Sequence, residues 1–240
     1  MEYSANPYDS PRYSVAAMAA VDERAGFITK TYMHLVGAIG ALVFLEFVLL
    51  QTPIGESLVQ LMMRSRYGWL IVLGLFMGAS WLANSWATSA TSITKQYLGL
   101  GLYVGAQSII LLPMIYIATT VPAYRGVVPT AAVTTLGLFA ALTAVVFITR
   151  KDFSFMRSIL MFGGFAAMGL IVCAIVFNFS LGPIFTYAMI AFACGYILYD
   201  TSNVLHHYRI GQHVAASLAL FASVALLFWY ILRLFMSNRD

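Results

Sequence analysis

The chain has 240 residues, of which 61% are hydrophobic and only 9% charged, with a formal net charge of +4. Average soluble chains are roughly 45–50% apolar and about 25% charged, so no water-soluble fold of this length hides that much apolar surface. The positive charge lies mainly in connecting segments and forms no basic run, which argues against nucleic acid as a partner and for a lipid bilayer with anionic headgroups.

Residues 1–25 carry Tyr3, Pro7, Tyr8, Ser10, Pro11 and Ser14 ahead of Asp22 and Glu23, and read as a short flexible cytoplasmic tail. They lack the basic start, apolar stretch and small-residue cleavage site of a secretory signal, so the first apolar helix is expected to serve as its own insertion signal. Residues 26–240 then form a single transmembrane domain. Seven stretches reach the roughly 20 apolar residues that a helix needs to cross the hydrocarbon core. They are Ile28–Leu50, Tyr67–Ala87, Tyr97–Thr119, Val127–Thr149, Ser158–Phe179, Pro183–Leu205 and Val214–Met236. Between them stand Pro53 and Gly55, the Ser/Thr-rich segment from Thr88 to Lys95, Pro122, the Arg150-Lys151-Asp152 cluster, Gly182-Pro183, and the segment from His206 to His213. The fold expected is an all-α membrane protein, a seven-helix bundle.

Orientation follows from the positive-inside bias. With the N-terminus in the cytoplasm, eight Lys/Arg fall inside (Arg12, Arg24, Lys30, Lys95, Arg150, Lys151, Arg157, Arg209) and five outside (Arg64, Arg66, Arg125, Arg233, Arg239). An odd number of crossings places the C-terminus outside. Gly74 with Gly78, Gly101 with Gly105, and Gly37 with Ala41 let helix backbones approach, as in ordinary membrane bundles. Cys173 and Cys194 lie within apolar runs and read as buried reduced thiols.

Ionisable groups at membrane depth are costly and usually face a partner or a water-filled cavity. Two acids qualify, Glu46 in the first span and Asp200 in the sixth. Tyr196 and Asn203 stand one turn before and after Asp200 and make a polar stripe with it. Asp200 either hydrogen-bonds a neighbouring helix or lines an aqueous vestibule, where a proton or a weakly held cation neutralises it; calcium ordinarily takes six to eight oxygen ligands. Glu46 and Arg233 of the seventh span lie at comparable depth, and either pair across the bundle or snorkel separately to the headgroups. His206, His207 and His213 read as an interfacial patch, because adjacent histidines point about 100° apart on a helix; no metal site and no cofactor are expected. Enzyme chemistry lacks its parts. A membrane aspartyl protease needs a second facing carboxylate, a serine hydrolase needs an activating base beside its serine, and Lys30, Lys95 and Lys151 all lie at span ends, where none serves as a retinal lysine.

The Tyr196-Ile197-Leu198-Tyr199-Asp200-Thr201-Ser202-Asn203 run, the Thr149-Arg150-Lys151-Asp152-Phe153-Ser154-Phe155 junction and the Leu220-Phe221 to Arg233 stretch together resemble the Bax inhibitor-1 family of seven-helix membrane proteins. The resemblance covers about Lys30 to Met236 and is greatest to the bacterial YccA-like branch. It implies a bacterial inner-membrane protein and two functional pictures. In one, the protein is a regulator that associates with the membrane-anchored ATP-dependent protease FtsH, through the N-terminal tail and the Arg150–Arg157 loop. In the other, it is a pH-sensitive calcium or proton leak built on Asp200. Related leaks pair the sixth-span acid with a second acid in the seventh span, latched by a second-span arginine. Here Ser223 occupies the second acid's place, and the Ser/Thr-rich end of the second span offers no such arginine.

Overall fold

The computed structural model describes residues 15–89 and 92–239. The described residues form eight helices: α1 (Val21–Gln51), α2 (Pro53–Met63), α3 (Arg66–Ala87), α4 (Ile93–Thr120), α5 (Val127–Thr149), α6 (Met156–Phe177), α7 (Gly182–His206) and α8 (His213–Ser237). All but α2 are long and apolar enough to cross a membrane, which gives the seven crossings expected. One end of the bundle carries the starts of α1, α4, α6 and α8, and is called here the N-terminal face. The opposite face carries α2.

The helix ends follow from local chemistry. Ser65 and Ser92 cap α3 and α4, their hydroxyls accepting from the backbone N–H groups of Tyr67 at 3.2 Å and Lys95 at 3.3 Å. Arg150 and Asn178 end α5 and α6 in the left-handed conformation that closes many helices. Two boundaries differ from the sequence reading. Helix α1 begins at Val21 rather than Ile28, with Asp22 and Glu23 in its first turn, where carboxylates complement the exposed N–H groups. The segment around Pro53 and Gly55, read as a break, forms α2, because proline at the first position of a helix loses no hydrogen bond.

The expected flexible tail over residues 1–25 lies outside the described residues for 1–14. Its later part is ordered. Val15 bridges to Arg209, the Ala16 N–H donates to the Tyr208 carbonyl at 2.9 Å, and Ala16 is buried.

The centre of the bundle is α8. Of its most apolar stretch 72% is buried, against 11–17% for α1, α3, α5 and α6, so these four face lipid and α8 does not. Helices α1, α3, α4, α5 and α7 pack around it, while α6 packs mainly on α7 and α3. Helices α3 and α4 approach closely at Gly99. A Cβ there would stand 2.5 Å from the Ala83 carbonyl oxygen and 2.7 Å from the Ala87 nitrogen, both backbone atoms that cannot swing aside. Replacing Gly99 with valine is therefore expected to cost at least the ~1–3 kcal/mol typical of overpacking. Thermal unfolding in detergent checks this; an unchanged melting temperature would show that α3 and α4 separate freely.

Candidate functional site

A cavity of about 830 Å3 lies between α3, α4, α6, α7 and α8. It exists because α6 lies off the α8 surface, leaving its side of the bundle loosely filled. At the opposite face its lining includes Phe179, Leu181, Arg233 and the stacked rings of Trp69 and Trp229, whose centroids are 5.8 Å apart. Deeper in, it is lined by Ser80, Asn84, Tyr103 and Gln107, and it reaches Asp200 and Ser223. From the start of α7 to Asp200 the helix rises about 27 Å, and from Asp200 to its end only about 9 Å. The carboxyl group therefore sits deep, nearer the N-terminal face.

Asp200 is buried and accepts a hydrogen bond from the Ser223 hydroxyl across the α7–α8 contact. Ser223 can supply only that one proton, so Asp200 has a neutral donor and no cationic partner among the described residues. Between Asp200 and the N-terminal face packs an apolar core cluster. Val204, Val214 and Leu218 belong to it together with Ala16 from the segment ahead of α1. Tyr208 packs against the same cluster, and burial, with the Asp200 charge as a further cause, pushes its phenol up from the ordinary value.

Tyr196 lines the cavity one turn from Asp200 and donates its hydroxyl to the Leu160 carbonyl at 3.2 Å, which ties α6 to α7. Asn203 does not share this cavity, so the stripe drawn from sequence stops at Asp200. One turn past the acid, α7 is already embedded in that apolar cluster at Val204.

The expected arrangement of Glu46 and Arg233 is corrected. Glu46 is only 6% exposed and neither carboxylate oxygen has a hydrogen-bond partner among the described residues, so it neither pairs with Arg233 nor snorkels. Glu46 continues the α1 stripe of Leu42 and Leu50, which packs toward α4, α5 and α8 at Leu111, Ala131 and Leu227. Arg233 lines the cavity on a different face of α8. The thiols are corrected too: Cys173 is exposed on α6 and Cys194 is half-buried, both free.

The three histidines separate. His206 Nδ1 lies 3.0 Å from the Ser202 carbonyl oxygen, His207 Nε2 lies 3.0 Å from Asp152 Oδ2, and the His213 ring lies against His34 at 4.9 Å between centroids. No group of three or more His, Cys, Asp and Glu side chains among the described residues could hold a metal ion.

Sequence reasoning missed the junction beneath α7. The Ser202 hydroxyl accepts from the Phe153 N–H at 2.9 Å, and Asp152 Oδ1 accepts from the Ser154 N–H at 2.8 Å. This docks the α5–α6 loop on the end of α7. The available signal was the Asp-x-Ser spacing, which favours a turn closed by the aspartate side chain.

The family model described as inhibitor of apoptosis-promoting Bax1 matches residues 24–240. The chain belongs to the Bax inhibitor-1 family. It is 36% identical over 118 residues to Bax inhibitor 1 of Schizosaccharomyces pombe, covering 44% of this chain and 41% of that protein. It is 34% identical over 113 residues to a BI1-like protein of Arabidopsis thaliana, covering 43% of each. An uncharacterized protein of Pseudomonas aeruginosa matches at 27% over 164 residues, 68% of this chain and 69% of that one. The matched stretches thus span less than half of the yeast and plant relatives. No solved structure matches the chain significantly.

In this member of the Bax inhibitor-1 family, the junction should titrate. The Ser154 N–H, then His207, hold the Asp152 carboxyl down at about 2 against opposing partial burial, while an unfolded chain keeps it near 3.8. A folded value below the unfolded one means that the contribution is complete above about pH 4 and is lost as pH falls through about 2. Asp152→Asn should therefore lower stability slightly at neutral pH, by about 1 kcal/mol or less for so exposed a group. The two proteins should converge near pH 2. Melting temperatures across acid pH check both parts.

Proposed function

We propose that this Bax inhibitor-1 family protein is a non-enzymatic membrane protein whose cavity delivers protons, and weakly other cations, to Asp200. The observation that carries the reading is the cavity running inward from the opposite face to a buried carboxyl group held by the Ser223 hydroxyl. A carboxylate at that depth is stabilised only when a donor, a proton or a cation neutralises it. The hydroxyl supplies part of that. Occupancy by a proton or a cation supplies the rest, and the exchange between them is the basis of pH sensitivity.

Calcium is the weaker cargo. Hard divalent ions gain from several carboxylates and six or more oxygens, and Asp200 offers one carboxylate with neutral oxygens around it. The apolar cluster between Asp200 and the N-terminal face makes a leak conditional on movement of that cluster. The greater share of Lys and Arg toward the N-terminal face favours a cytoplasmic N-terminus in a bacterial inner membrane.

Liposomes holding the purified protein and a pH-sensitive dye test the reading. Asp200→Asn should reduce proton flux to the level of empty liposomes. Ser223→Asp restores a second facing carboxylate, two acids that share a proton, and should raise calcium flux above the parent. Parent flux equal to that of empty liposomes at every pH removes the leak.

The regulator reading has one supporting observation, the exposed basic surface of the Arg150–Arg157 loop on the N-terminal face. It names the membrane-anchored protease FtsH as partner. Crosslinking in bacterial membranes followed by purification should recover FtsH, with less recovered from a variant in which Arg150, Lys151 and Arg157 are replaced by glutamine. Absence of the protease from the parent eluate rejects this partner.

A further inference from the structure

We propose that the groove between α1 and α4 binds one anionic phospholipid from the leaflet at the N-terminal face, its headgroup at Lys30 and Tyr97 and one acyl chain along Gly37 and Gly101. This groove, of about 440 Å3, is separate from the Asp200 cavity and lies on the outer surface of the bundle. Met33 on its rim is 66% exposed, so it opens sideways to lipid. Along α1 it extends from Met33 to Leu45, a rise of about 18 Å. That is about half of a ~30 Å hydrocarbon core, the depth of one leaflet.

The walls keep the groove open without serving helix packing. A Cβ added at Gly37 or at Gly101 would meet nothing within 4 Å. These glycines therefore differ from Gly99, where a Cβ collides with the α3 backbone. Buried Ala38, Leu100 and Val104 make an apolar floor suited to hydrocarbon.

The end at the N-terminal face is polar and basic. His34 Nδ1 lies 2.6 Å from the Lys30 carbonyl oxygen, which can only accept, so that nitrogen carries the proton. His34 Nε2 lies 2.8 Å from the Tyr97 hydroxyl, and the His213 ring lies against His34. Lys30, one turn before His34, is exposed and has no carboxylate partner among the described residues. A lysine at headgroup level above a leaflet-long apolar groove complements a lipid phosphate with net negative charge, and a zwitterionic lipid much less.

The experiment is native mass spectrometry of the purified full-length protein in detergent with equimolar phosphatidylglycerol and phosphatidylcholine. The parent should retain one phosphatidylglycerol, preferred by about fivefold, the effect of one lysine near an anionic headgroup. Lys30→Gln should bring that ratio to about one. Gly37→Leu with Gly101→Leu should retain neither lipid while keeping the parent's helical signal and melting temperature, because the new side chains fill only the groove. If that variant does not fold, Lys30→Gln decides alone. Equal retention of the two lipids by the parent overturns the proposal. So does an unchanged ratio in Lys30→Gln, a folded glycine variant that still holds phosphatidylglycerol, or displacement of the lipid by inorganic phosphate, which would mark a site for a free anion.

Discussion

The bundle is organised by close packing on one helix, α8, whose buried residues face every side. Leu220, Val224, Phe221, Leu218, Ala215 and Tyr230 are all buried although they point around its full circumference. In lipid the gain does not come from hiding hydrocarbon, since acyl chains are as apolar as leucine. It comes from close contact, which small residues allow: Ala215, Ala216, Ser217, Ser223 and Ala225 are buried among the larger side chains. Five helices collect around α8 and fix the crossing order of the bundle.

That shell is incomplete beside α6, and the site follows from the gap. With α6 attached mainly through α7 and α3, space remains between them that side chains only line. Tyr196 bridges α7 to α6, while Ser223 of α8 turns its hydroxyl to Asp200 of α7. The acid is thus held by the most buried helix and approached from the loosest side. On the other flank the segment at Val15 and Ala16 closes the bundle against Tyr208 and Arg209, and Arg24 donates to the Leu205 carbonyl at 3.3 Å at the end of α7. These contacts tie the segment ahead of α1 to the end of α7 on the N-terminal face.

Glu46 shows how little depth alone reveals. It lies at a height similar to that of Arg233, yet the two point to different sides of α8. Height along a helix can be counted from sequence; azimuth in a bundle of uniformly greasy helices cannot. Asn203 carries the same lesson. It shares a face with Asp200 by spacing, but the cavity ends before reaching it. Ser202, one residue away, makes the contact that matters at that level by holding the α5–α6 loop.

The sequence by itself determined the medium, the seven crossings, their approximate limits and the deep acid on the sixth of them, because each is a matter of composition and length along one segment. The resemblance carried by its motifs also placed Ser223 opposite that acid. Only the tertiary structure decided that α8 is the interior helix, that Pro53–Met63 is helical, that Glu46 is buried away from Arg233, and that Asp152, Ser202 and His207 meet. The reason is physical. In water the apolar face of a helix announces which side is inside, whereas in a bilayer every face is apolar, and inside and outside are separated by packing between segments far apart in the chain.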